Sequence, residues 1–206
     1  MIYVARHGET DWNREGRYQG QRESQLTDLG IAQAGFLAAG LAKEAPIRRV
    51  IASPLARCVE TARPIAEIFG VSLETDAELI EIAHGTWEGR LRTEIERDDP
   101  EMMRAWRETP NVVRFEGGES LADVDRRWRA FLHRLGDADR TVIVTHDVIV
   151  RLAILAATGR GLAQLWEPRV VNAGYARFRG GGSWELLDEC VDAHLPFAID
   201  TAAQAL

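Results

Sequence analysis

Two cysteines in 206 residues, Cys58 and Cys190, are too few and too isolated for a disulfide framework or a thiolate metal site. A reducing, cytoplasmic setting is the expectation. The opening run MIYVARHGET lacks a basic stretch followed by an apolar core, so no secretory leader is expected. No apolar run approaches the ~20 residues that a membrane-spanning helix needs. Repeats are absent, and the only glycine-rich run, Gly180 to Gly182, is short enough to be a hairpin turn. Positive charge is also in deficit: 25 Lys and Arg stand against 32 Asp and Glu, for a net charge of −7. That balance excludes general nucleic-acid binding, which needs a basic surface. None of the histidines falls in an H-x-H or H-E-x-x-H pattern, so neither a metal site nor a bound cofactor is expected.

What remains is an ordinary globular composition, 46% hydrophobic and 28% charged, long enough for one domain spanning residues 1–206. Ile2 to Ala5 reads as a buried first strand. Thr27-Asp28 caps a helix with Leu29, Ala32, Phe36 and Leu37 roughly on its inner face. Arg49 to Ala52 is a second strand. It ends at Ser53-Pro54, which predicts a serine cap and a proline in the first helical turn. That helix should bury Leu55, Cys58 or Val59, Ala62, Ala66 and Phe69, with Pro64 kinking or shortening it.

Val71 to Glu74 reads as a short third strand. The charged stretch from Thr93 to Arg107, broken at Pro100, predicts two short helices in a lid-like insertion over about residues 84–118. Ser120 opens an amphipathic helix carrying Leu121, Val124, Trp128, Phe131 or Leu132, and Leu135. TVIVT at 141–145 is a β-branched strand, followed by a helix through Val148 to Ala157. Val170-Val171, Tyr175 to Phe178 and Trp184 to Leu187 complete the strands, and a loose tail starts at about residue 196. Strands alternating with helices predict a three-layer α/β/α domain with a mostly parallel sheet.

Two of these strands end in a histidine: the first at Arg6-His7-Gly8, the TVIVT strand at His146-Asp147. Ligands of parallel sheets sit beyond the strands' carboxyl ends, so both imidazoles are expected in one crevice. Gly8 fits a tight backbone exit where a side chain would crowd a ligand. Arg57 lies near a helix N-terminus, where free N–H groups favour anions. Two arginines and two histidines together would form a basic pocket that the acidic chain otherwise lacks. Arginine suits it, because its planar fork pairs bidentately with phosphate oxygens.

RHGETDWN at 6–13 resembles the signature of the histidine phosphatase superfamily, the group related to cofactor-dependent phosphoglycerate mutase. The resemblance continues through GRYQG (16–20), LTDLG (26–30), Gln33-Ala34, SPLARCVETA (53–62), Leu79-Ile80-Glu81, GTWEG (85–89), GGES (117–120) and THDVIVR (145–151). These blocks fall in family order over roughly residues 3 to 155.

The resemblance implies a phosphoglycerate mutase-like fold. It implies that His7 is the nucleophile that becomes phosphohistidine, and that Arg6, Arg57 and His146 bind the phosphoryl oxygens. Asn13 matches a further pocket contact, Gln19 and Gly20 a substrate-facing loop, and Glu81 the proton donor to the leaving oxygen. Asp147 departs from the glycine common at its position in this branch. His-Asp there resembles the acid-phosphatase branch, in which the aspartate is the donor. Two candidate acids therefore stand, Glu81 and Asp147, with Asp147 otherwise a helix cap.

The implied activity is metal-independent hydrolysis of a small phosphorylated metabolite. The alternatives are a mutase-type phosphotransferase and an inactive phospho-ligand binding module. The compact segment after IAHGTWEG favours hydrolysis, and the retention of both histidines and both arginines favours an active enzyme. His84 reads as an ordinary loop residue, Trp87, Trp106 and Trp166 as packing, and Arg90 or Arg92 as solvated or touching substrate. The identity of the leaving group is left open, as is the oligomeric state, a homodimer included.

Overall fold

The computed structural model describes all residues except 45, 137, 181–183 and 197–206. The C-terminal tail and most of the glycine turn therefore lie outside the described residues. Four strands, β1 (Ile2–Arg6), β2 (Arg49–Ala52), β3 (Leu73–Thr75) and β4 (Thr141–Thr145), run parallel. Two more, β5 (Tyr175–Arg179) and β6 (Glu185–Val191), extend the sheet antiparallel beyond β1. The strand order is β3-β2-β4-β1-β5-β6. Val170-Val171 is not a strand but irregular chain.

Among the described residues seven helices accompany the sheet: α1 (Asp11–Glu15), α2 (Asp28–Leu41), α3 (Ala56–Phe69), α4 (Arg92–Asp98), α5 (Pro100–Glu108), α6 (Leu121–Leu135) and α7 (Asp147–Thr158). Strand side chains alternate between two cores, as the pleat requires. Tyr3, Ala5, Val50, Ala52, Val142 and Val144 face α2 and α3. Val4, Ile51 and Ile143 belong to the opposite core, with Trp128 of α6 and Ile149 of α7. Trp87, Ile95, Trp106 and Phe115 join that second core, so the 84–118 segment is packed into the body of the domain. No helix among the described residues is long and apolar enough to cross a membrane.

Several helix faces differ from expectation. On α2 the buried face is Gly30, Gln33, Ala34, Leu37, Ala38 and Leu41, while Leu29, Ala32 and Phe36 lie outside and Ile31 is 60% exposed. Apolar residues surround this helix, so composition gave no reliable face. Helix α3 starts at Ala56, with Leu55 as its cap residue; Ser53 is not the cap and Pro54 precedes the first turn. Its buried positions are Arg57, Cys58, Thr61, Ala62, Ile65 and Ala66, with Leu55 and Phe69 only partly buried. The helix continues through Pro64, whose missing N–H deprives only the carbonyl of Glu60, an exposed residue.

Candidate active site

Parallel pairing brings three chain exits to one sheet edge. Arg6 stands opposite Thr145, and Ala52 opposite Val144. The ladder runs one step past the strands: the His7 N–H donates to the Thr145 carbonyl at 3.0 Å and the Ser53 N–H to the Val144 carbonyl at 2.9 Å. His7 and His146 therefore emerge side by side, with ring centroids 5.3 Å apart at an interplanar angle of 65°. Gly8 is required here for a different reason from the one expected: a Cβ would lie 2.6 Å from the Gly30 carbonyl of α2, not against a ligand.

His7 is 3% exposed. Its Nδ1–H donates to the Gly8 carbonyl at 2.7 Å, which fixes the tautomer and leaves the Nε2 lone pair unprotonated. Burial first, then the nearby Arg57 and Arg6 charges, hold its pKa well below the ordinary histidine value. Asn172, invisible to the sequence reading, donates its amide to the His7 carbonyl at 3.0 Å and to Asn13 Oδ1 at 3.3 Å. His146, fully buried, shares a 2.8 Å hydrogen bond through Nε2 with the Ser53 hydroxyl. The Cys58 thiol lies 3.4 Å from the same nitrogen. Burial, followed by Arg57 and His7, depresses the His146 pKa as well.

Arg57, in the first turn of α3, donates through Nη2 to the Gly20 carbonyl and through Nη1 to the Arg22 carbonyl, both at 2.8 Å. It thereby ties the Gln19-Gly20 loop to the imidazole pair. Gly20 has φ of +53°, and a Cβ there would meet the Glu88 carboxylate at 2.1 Å, so a glycine is needed on both counts. Gln19 is buried, its Oε1 accepting from Thr10 and Ser24 hydroxyls at 3.1 and 2.6 Å. Asn13 sits in the capping box of α1, with Oδ1 accepting from the Thr10 N–H at 3.1 Å.

The two candidate acids differ in their surroundings. Asp147 is engaged at both oxygens: Oδ1 lies 3.2 Å from Arg6 Nη1 and Oδ2 lies 2.5 Å from Arg151 Nε. It makes no cap hydrogen bond, and the α7 cap position is His146. Glu81 is 3% exposed, and its Oε1 accepts the Ile82 N–H at 2.9 Å. Burial first and the Asp147 charge second push its pKa up to about 7, against the opposing effects of that hydrogen bond, Arg57 and Arg6.

His84 is not an ordinary loop residue. It is fully buried against Tyr18, Trp106 and Phe115, and neither ring nitrogen has a hydrogen-bond partner among the described residues. Burial alone lowers its pKa to about 3. Trp87 and Trp106 are packing residues, as expected. Arg90 pairs with Asp98, and Arg92 with Glu96. Among the described residues no group of three or more His, Cys, Asp or Glu side chains is placed to hold a metal ion.

The sequence profile of the histidine phosphatase superfamily (branch 1) matches residues 2–189. The chain belongs to that superfamily. Phosphoserine phosphatase 1 of Hydrogenobacter thermophilus is 37% identical over 178 residues, covering 85% of this chain and 84% of that protein. Adenosylcobalamin/alpha-ribazole phosphatase of Salmonella typhimurium is 33% identical, with 92% and 90% covered. A mycobacterial glucosyl-3-phosphoglycerate phosphatase, solved with VO3, superposes with a TM-score of 0.82 at 30% identity, over 91% of this chain and 96% of that one. The three-layer architecture is thus that of a histidine phosphatase, and the chain is an enzyme of that kind.

Proposed function

We propose that this histidine phosphatase hydrolyses a small phosphomonoester through a phosphohistidine on His7. The observation that carries the proposal is the 5.3 Å edge contact of His7 with His146 at adjoining strand ends, beside the buried Arg6 and Arg57. His7 Nε2 attacks phosphorus while Nδ1 stays anchored on the Gly8 carbonyl. Arg6, Arg57 and the Ser53-bonded His146 stabilise the charge that spreads over the phosphoryl oxygens. Asn13 and the Gln19-Gly20 loop complete the pocket wall.

Glu81, with a pKa near 7, delivers its proton to the leaving oxygen as the P–O bond breaks and the P–N bond forms. The resulting carboxylate then takes a proton from water, whose oxygen attacks phosphorus and releases phosphate and free His7. Asp147, held between Arg6 and Arg151, is assigned to charge placement rather than proton donation. The near-complete burial of His7 and Glu81 supports a monoester, because only a terminal phosphoryl group reaches so deep. The 84–118 segment is the leaving-group reader in this proposal. Two free cysteines support a cytoplasmic enzyme.

A screen of small phosphomonoesters, phosphoserine and sugar phosphates among them, tests the activity. Stoichiometric phosphate release is expected from wild type and none from His7→Ala. Isomerised phosphoester without phosphate release would contradict hydrolysis.

A further inference from the structure

We propose that Arg127, aligned by Glu119, is the positioning residue that holds Glu81 in line with the leaving oxygen. The inference rests on the proton-donor assignment above. Glu81 sits in irregular chain between a short 3-10 turn (Ala77–Leu79) and another (Gly85–Trp87), so no helix or strand fixes its backbone. Among the described residues its side chain has one hydrogen bond, accepted from the adjacent Ile82 N–H. The placement of the carboxyl is therefore set by whatever fixes the main chain.

Arg127 does this with its whole guanidinium. Nη1 donates to the carbonyls of Glu78 and Ile80 at 2.7 and 2.6 Å, and Nη2 to that of Glu81 itself at 3.0 Å. Nε and Nη2 also form a forked pair with Glu119 Oε1 and Oε2 at 3.0 and 3.1 Å. All five N–H groups thus have acceptors, and none is left for a phosphoryl oxygen. The Arg127 charge is neutralised where it stands, so its part is positional.

Glu119 extends the same clamp. Its Oε2 accepts the Ala83 N–H at 2.9 Å and the Gln21 amide at 3.3 Å, and that amide also donates to the Glu81 carbonyl at 3.0 Å. The Thr145 hydroxyl, one residue before His146, donates to the Leu79 carbonyl at 2.7 Å. Four consecutive carbonyls, 78 through 81, are therefore held by side chains from β4, α6 and the substrate loop. The donor is thereby built into the same frame as the imidazole pair.

A lysine keeps the charge of Arg127 but not the planar fork, and three donors on one nitrogen cannot span three carbonyls and a carboxylate. The test compares kcat/KM on an alkyl phosphate, whose leaving oxygen needs a proton, with that on 4-nitrophenyl phosphate, whose leaving group departs without one. Arg127→Lys should lower the alkyl value by about 10²-fold, the scale of a 1 Å misplacement, and barely change the aryl value. Glu119→Gln, which keeps the shape but breaks the forked pair, should show the same selectivity at smaller size. In a Glu81→Gln background Arg127→Lys should cost nothing further on the alkyl substrate.

Equal losses on both substrates, or a full additional loss in the Glu81→Gln background, would overturn the inference and leave Arg127 merely structural. Equal losses for Glu81→Gln itself would instead remove the donor assignment and this inference with it. A variant of Arg127 that fails to fold leaves Glu119→Gln to decide, and an unselective loss there overturns the inference equally.

Discussion

Arg6 Nη1, from the residue before His7, and Asp147 Oδ1, from the residue after His146, meet at 3.2 Å, both side chains almost wholly removed from water. The pair settles where the charges of the pocket stand. Arg6 is aimed by Asp147, and Asp147 in turn raises the Glu81 pKa by repulsion. Asp147→Asn should therefore lower stability by on the order of 3–5 kcal/mol, since it removes the buried carboxylate charge that faces two buried guanidiniums. At a pH low enough that Glu81 is protonated in both enzymes, it should slow alkyl and aryl phosphates by the same factor. A loss confined to alkyl phosphates, measured as kcat/KM, would make Asp147 the donor instead.

The pH profile follows from two displaced groups. In the proposed mechanism His7 must be neutral, and its depressed pKa keeps it so well below the usual histidine range. Glu81 must be protonated, so kcat/KM on an alkyl phosphate should fall as the pH rises through about 7. Glu81→Gln should abolish that alkaline fall. Asp147→Asn, by removing a charge that raises the Glu81 pKa, should move the fall to lower pH. An alkaline limb unchanged in Glu81→Gln would assign it to another group.

In the proposed mechanism Arg57 has two tasks in one side chain, the phosphoryl charge and the carbonyls of Gly20 and Arg22. Arg57→Ala should cost about 10²–10³-fold in kcat, and KM should rise with it as the loop loosens. Steady-state kinetics would show a wild-type kcat if Arg57 were only a structural strut.

His84 lies in an aromatic cage, and among the described residues neither nitrogen has a hydrogen bond. His84→Phe should raise stability by about 1–3 kcal/mol by removing two unsatisfied buried nitrogens. The sign of its pH effect is set by a folded pKa of about 3 below the unfolded histidine value. The unfolded chain binds the proton first, so stability is lost as the pH falls below about 6.5. Thermal melts of His84→Phe should show a weaker loss between pH 6.5 and 4. A lower melting temperature at neutral pH would mean that the imidazole has a partner in the folded enzyme.

Legibility from the sequence divides along the distance over which each feature is encoded. Strand ends were readable because Ile2–Arg6 and Thr141–Thr145 are short, apolar and stop at a polar motif. The meeting of His7 and His146 then followed from parallel pairing alone. Faces of α2 were not readable, since Ile31 and Phe36 are as apolar as the buried Leu37. Ser53 looked like a helix cap because its bond to His146 is a contact across 93 positions.

Arg127 was hidden among Arg126, Arg129 and their acidic partners on one charged helix. Its spacing did carry a signal. It lies three residues after the buried Val124 and four before the buried Phe131, on the flank of the inward stripe, which Arg126 and Arg129 do not share. Asn172 had no such signal, being a lone amide in irregular chain.

A covalent bond between substrate phosphorus and His7 is the most direct observable. Enzyme mixed with substrate carrying labelled phosphate, quenched within milliseconds under alkaline denaturing conditions and digested, should yield one labelled peptide bearing phosphate on His7. His7→Ala should yield none. Phosphate released at full rate with no label on that peptide, or label on any other residue, would contradict the account.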